Sequence, residues 1–65
     1  MNTLEKITPD DLRELRDRLG LTQSEVAARV GVSSRAWGAY ERGEYEPSAP
    51  VLILVAQLLK KTRKN

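Results

Sequence analysis

Apolar residues recur along this chain at helical spacing in three short runs and one longer one. Leu12, Leu15 and Leu19 give the first stripe. Val26, Ala27 and Val30 give the second, and Val32, Trp37 and Tyr40 the inward side of the third. The fourth run, "VLILVAQLLKK" from Val51, is apolar almost all round. No stretch alternates as a half-buried strand would.

Start and stop signals frame each run. In "ITPDDL", Thr8 suits the N-cap and Pro9 the first helical position, while Asp10 and Asp11 complement the helix dipole. Ile7 can staple to Leu12, and Gly20 ends the helix. In "LTQSEV", Thr22 and Glu25 form a T-x-x-E capping box, Leu21 and Val26 the staple, and Gly31 the stop. In "VSSRAW", Ser33 is the N-cap, with Val32 and Trp37 as staple and Gly43 closing the helix. The fourth helix follows "EYEPSAP", capped by Ser48 or Ala49 with Pro50 in its first turn. The predicted fold class is all-α, a compact bundle of four helices.

The chain has 65 residues, one domain over 1–65 with little room for a core. It has no Cys and no His, so the usual nucleophiles, bases and zinc ligands are missing. An enzyme is not expected, nor a metal, a cofactor or a small-molecule ligand. The Met1 end is charged and shows no export signal, and the longest apolar run is far too short to span a membrane. The expected setting is cytoplasmic, with no membrane partner. Net charge is +2, but residues 1–59 carry seven Lys/Arg against nine Asp/Glu. Lys60, Lys61, Arg63 and Lys64 then make residues 60–65 a basic tail, expected either to reach phosphates or to be disordered. Any nucleic-acid site must therefore come from local placement rather than a uniform basic field.

The turn Gly31-Val32-Ser33 joins the second and third helices so tightly that they must cross steeply, as in a helix-turn-helix. Ala27 is small where they cross, and Val32 is apolar within the turn. "LRELRDRLGLTQSEVAARVGVSSRAWGAYERGEYEP", Leu12 to Pro47, resembles the phage repressor and Cro-like (Xre-type) helix-turn-helix regulators. The Leu-Gly-Leu-Thr-Gln lead, the Ala-x-x-x-Gly-Val core and the Glu-x-Gly close carry the resemblance, which extends through Leu52, Val55, Ala56 and Leu59. It implies a compact repressor-like domain that binds double-stranded DNA sequence-specifically, usually as a dimer on an inverted repeat.

Ser34, Arg35, Gly38, Ala39 and Arg42 fall on the outward side of the third helix. That side is small-residued around its arginines, so the backbone can approach a groove closely. Gly38 lowers helix stability by about 1 kcal/mol relative to Ala, which calls for a reason: close approach to DNA, or close packing on the first or second helix. Arg35 is the candidate base reader, through a bidentate contact to guanine. Its alternative is a phosphate contact or a plain surface charge. Ser34 can reach a base edge or phosphate, and Ala39 a thymine methyl. Thr22 and Gln23 open the second helix, whose free amides suit a phosphate. In the family the residue matching Gln23 commonly contacts the DNA backbone. Ser33 and Arg42 are further phosphate candidates. The loop Glu44-Tyr45-Glu46 departs from the family's basic residues there and should repel phosphates. Arg16 and Glu41 match a family ion pair that orients the third helix, a structural role.

The family's core positions on the fourth helix map to Leu52, Val55, Ala56 and Leu59. That leaves Val51, Leu54 and Leu58, with Ile53, as an apolar stripe expected to form a homodimer interface. Packing of that stripe on Leu4 and Ile7 is the other possibility. The expected function is a homodimeric transcriptional autorepressor of a small operon. Phage Cro-like regulators and anti-CRISPR-associated regulators have this build, and "YEPSAP" before a very apolar helix resembles the latter. A different class is an antitoxin-type interaction module whose fourth helix covers a partner protein.

Overall fold

The computed structural model describes residues 7–63. Its helices are α1 (Pro9–Leu19), α2 (Gln23–Val30), α3 (Ser34–Arg42) and α4 (Ala49–Thr62). The described residues contain no strand.

Local chemistry sets the boundaries. Thr8 and Thr22 each accept the amide three residues on, while Asp11 and Glu25 reach back to the cap amides. Both are complete capping boxes, each satisfying two amides that a helix start would otherwise leave open. Ser33 caps α3 by accepting from the Ala36 amide at 3.0 Å. Gly20, Gly31 and Gly43 close the first three helices in the left-handed conformation, with φ of 68°, 79° and 77°. Such closure lets a turn of a few residues reverse the chain, which matters most at Gly31 between α2 and α3.

Leu12, Leu15, Val26, Trp37 and Val55 are fully buried, joined by Ala27, Val30, Val51 and Leu59. Ile7, Leu21 and Val32 are half-buried against this core, as the staples require. Trp37 and Tyr40 meet edge to face, with ring centroids 6.2 Å apart. α2 and α3 form the most extensive helix pair; α1 packs on α3 and α4, and α2 also touches α4.

The fourth helix is rotated from its expected phase. Val51, assigned to a dimer stripe, is 7% exposed and belongs to the core. Leu58 is half-buried and leans on the same core, while Leu52 and Ala56 are only half-buried. The reason is that a helix apolar on every side carries no phase of its own; its packing on α1 and α2 sets it. Leu54 (41% exposed) and Ile53 (45%) remain as outward apolar residues. Leu4 lies outside the described residues.

Lys60 and Lys61 are helical and exposed. Arg63 folds back on α1, donating to Asp11 at 2.9 Å and to both Glu14 oxygens at 2.8 and 2.9 Å. The hydrogen bond from Arg63 pulls the Glu14 carboxyl down to about 2. Arg63 of the basic stretch is thus paired with α1, and Lys64 and Asn65 lie outside the described residues.

Candidate nucleic-acid interface

The interface is organised from beneath by one buried acid. Glu41 is 5% exposed. Its carboxylate accepts from Arg16 Nε at 2.8 Å and Arg16 Nη2 at 3.2 Å, both from α1. Trp37 Nε1, one turn earlier on α3, donates to Oε2. Gln23 Nε2, from the first residue of α2, donates to Oε1 at 3.1 Å. Arg13 adds a bond to the Glu41 backbone carbonyl. Burial alone would push the carboxyl up, but the hydrogen bonds from Arg16, Trp37 and Gln23 outweigh it, and the group titrates below its usual range. The same bond to Glu41 holds Arg16 above its ordinary value.

Arg16 and Glu41 therefore sit together in the arrangement expected of them. The two further donors were not anticipated. The i, i+4 spacing of Trp37 and Glu41 was available as a signal. For Gln23 the sequence carries none, because its approach to Glu41 depends on how α2 crosses α3.

The hydrogen bond to Glu41 also fixes the Gln23 amide. A carboxylate demands a donor, so Nε2 faces inward and Oε1 lies over α3, 3.7 Å from where a Gly38 Cβ would stand. Nε2 keeps a second N–H for an outside acceptor.

Above this layer, Gln23, Ser24, Ser34, Arg35, Gly38 and Arg42 line a cleft of about 400 Å³. A neighbouring, more apolar cleft of about 480 Å³ lies between α3 and the following loop, lined by Ser33, Arg35, Ala36, Ala39, Tyr40, Tyr45, Glu46 and Ser48. Arg35 borders both and stands on the ridge between them. It is exposed, and neither it nor Ser34 makes a side-chain hydrogen bond or ion pair among the described residues. Thr22 and Ser33 are exposed, with their hydroxyl oxygens engaged as caps and their hydroxyl hydrogens available.

Two residues assigned to the open side of α3 are covered. Ala39 is 4% exposed, at the wall of the second cleft, where its carbonyl accepts from the Glu44 amide at 3.0 Å. With so little of the residue exposed, its methyl is not offered to a thymine as the chain stands. Gly38 is buried beneath side-chain tips: Arg42 Nη1 lies 3.2 Å from its Cβ position and Gln23 Oε1 3.7 Å. Within 4 Å of that position stand no backbone atoms of another described helix and nothing from α1. Tight helix–helix packing is therefore not what Gly38 serves.

Arg42 is exposed but engaged. Its Nε and Nη2 grip both oxygens of Glu44 at 2.9 and 3.1 Å. The bond draws the Glu44 carboxyl below its usual range. Glu44 of the loop thus acts on a specific arginine, beyond any general repulsion of phosphate. Among the described residues no group of side chains could hold a metal ion, and no helix is long and apolar enough to cross a membrane.

Two short helices joined by a left-handed glycine turn, the second presenting an arginine with no partner among the described residues beside the open first turn of the first, define a helix-turn-helix unit. The helix-turn-helix family model matches residues 12–64, and the chain belongs to that family. It is 46% identical over 48 residues to an uncharacterised HTH-type transcriptional regulator of Methanothermobacter thermautotrophicus, covering 74% of this chain and 70% of that one. A second such regulator, from Sinorhizobium fredii, is 38% identical over 56 residues, 86% of this chain and 73% of its own. A third, from Archaeoglobus fulgidus, is 36% identical over 47 residues, 72% and 67% of the two chains. No solved structure matches at a significant level.

Proposed function

We propose that this chain is a sequence-specific double-stranded DNA-binding transcription regulator, acting as a homodimeric autorepressor on an inverted repeat near its own promoter. The observation that carries the reading is Arg35. It is a guanidinium on the ridge of α3 with no partner among the described residues, beside a Gln23 amide whose donor side is fixed by a buried carboxylate. Arg35 reads a guanine edge. Gln23, Thr22 and the first-turn amides of α2 hold a phosphate, and Ser33, Ser34 and Arg42 supply further backbone contacts. Ala39 and Gly38 shape the approach without touching a base. Shape readout then carries part of the selectivity.

The dimer forms through α4 around Leu54 and Ile53, the outward apolar pair. Two copies of α3 then enter successive major grooves roughly 34 Å apart. The regulator of a small phage or anti-CRISPR-associated operon is the setting this build fits. The same exposed pair supports a second reading, an antitoxin-type module in which Ile53 and Leu54 meet a foreign chain. The mass of the pure protein by size exclusion separates the two.

Binding to the DNA upstream of its own reading frame, followed by fluorescence anisotropy across a salt series, tests the main reading. Wild type should lose affinity steeply with salt. Arg35→Ala should lose discrimination between that site and random duplex, by about 1–3 kcal/mol for a bidentate guanine contact. Gln23→Ala should weaken all duplexes alike. Unchanged site preference in Arg35→Ala would remove Arg35 from the reading role.

A further inference from the structure

We infer that Glu44 is a built-in stand-in for a DNA phosphate: it occupies Arg42 in the free protein and is displaced when a duplex seats. The inference rests on the DNA-binding reading above. Arg42 presents Nε and Nη2, one edge of its guanidinium, to the two oxygens of Glu44. That planar fork is the grip an arginine uses on a phosphate. The acceptor position a phosphate would take is therefore already filled.

Gly38 is the second part of the arrangement. Arg42 Nη1 lies 3.2 Å from the position a Cβ would occupy there, so the missing side chain lets the guanidinium lie across α3. It rests within the cleft that Gln23, Ser34 and Arg35 also line. Both partners of the pair are more than half exposed. Exposed ion pairs are weak and exchange their partners readily. The two arginines of this face thus differ: Arg35 has no partner among the described residues, whereas Arg42 becomes available only by exchange. One positive charge is withheld from passing duplexes and released to a seated one.

A double-mutant cycle on a fluorescent duplex of random sequence, at low and moderate salt, tests this without knowledge of the operator. Wild type, Glu44→Gln, Arg42→Ala and the double variant are compared, with folding checked by circular dichroism. Glu44→Gln should bind about two- to fivefold more tightly than wild type, the worth of an exposed pair. In the Arg42→Ala background that gain should largely vanish. An equal gain in both backgrounds would mean that Glu44 acts only through its field on the phosphates. A larger gain in the Arg42→Ala background would mean that the pair stays closed in the complex. Either result overturns the inference while leaving DNA binding intact. No binding by wild type to any duplex overturns the DNA-binding reading and this inference with it.

Discussion

Glu41 takes hydrogen bonds from one side chain on each of three helices: Arg16 on α1, Gln23 on α2 and Trp37 on α3. Removing the charge strands a partly buried guanidinium and unties the Gln23 amide. Glu41→Gln should therefore cost about 3–5 kcal/mol, a large share of the 5–15 kcal/mol typical of a domain, by order of magnitude. Urea unfolding followed by Trp37 fluorescence measures it, and a loss below about 1 kcal/mol would place the pair among ordinary surface contacts. The pH dependence has a definite sign. The folded carboxyl titrates below the unfolded one, so its contribution is complete above the unfolded Glu value of about 4.3. It fades as pH falls from there through the folded value. Glu41→Gln should flatten that acid limb. The Arg16 link was legible in the sequence through the family resemblance, and the Trp37 link was available in its i, i+4 spacing. The Gln23 link was not, because one-dimensional spacing is silent on which side chains of crossing helices meet.

At the scale of elements, the helix starts and stops were legible because they are local chemistry. Thr8, Thr22 and Ser33 cap, and the three glycines close, using groups within four residues of one another. The phase of α4 was not legible, since "VLILVA" offers every direction an apolar side and leaves the choice to α1 and α2. The open side of α3 was legible at Ser34, Arg35 and Arg42 but not at Ala39, which is buried. Gly38 separates the demands of the helix from those of its ligand. Beyond its own helix backbone and chain neighbours, the atoms of the described residues near its Cβ position are the flexible tips of Arg42 and Gln23. Gly38→Ala should therefore stabilise the free protein by up to about 1 kcal/mol of helix propensity. That is a rise of about 4–8 °C in Tm for a domain this small. It should weaken DNA binding, because the added methyl thickens α3 and shifts Arg42. A lower Tm would show that the fold itself requires the glycine.

For the whole molecule, the core draws on all four helices, yet Leu54 and Ile53 are left facing outward. A dimer seated on that pair should be broken by Leu54→Lys. The residue is 41% exposed, so the monomer tolerates the change. Sedimentation should show half the mass, and affinity for a duplex with two half-sites should fall while that for one half-site stays put. Unaltered mass would move the subunit contact elsewhere. The basic end does not simply trail from this body, because Arg63 ties the last turn of α4 to Asp11 and Glu14.

Ser34 and Arg35 make no side-chain bond to the described remainder of the chain, whereas the residues around them are locked into caps, core or the Glu41 cluster. The two positions can therefore change identity with little effect on whether the protein folds. A lineage could redirect such a molecule to new promoters by altering this pair of codons and inherit the rest unaltered.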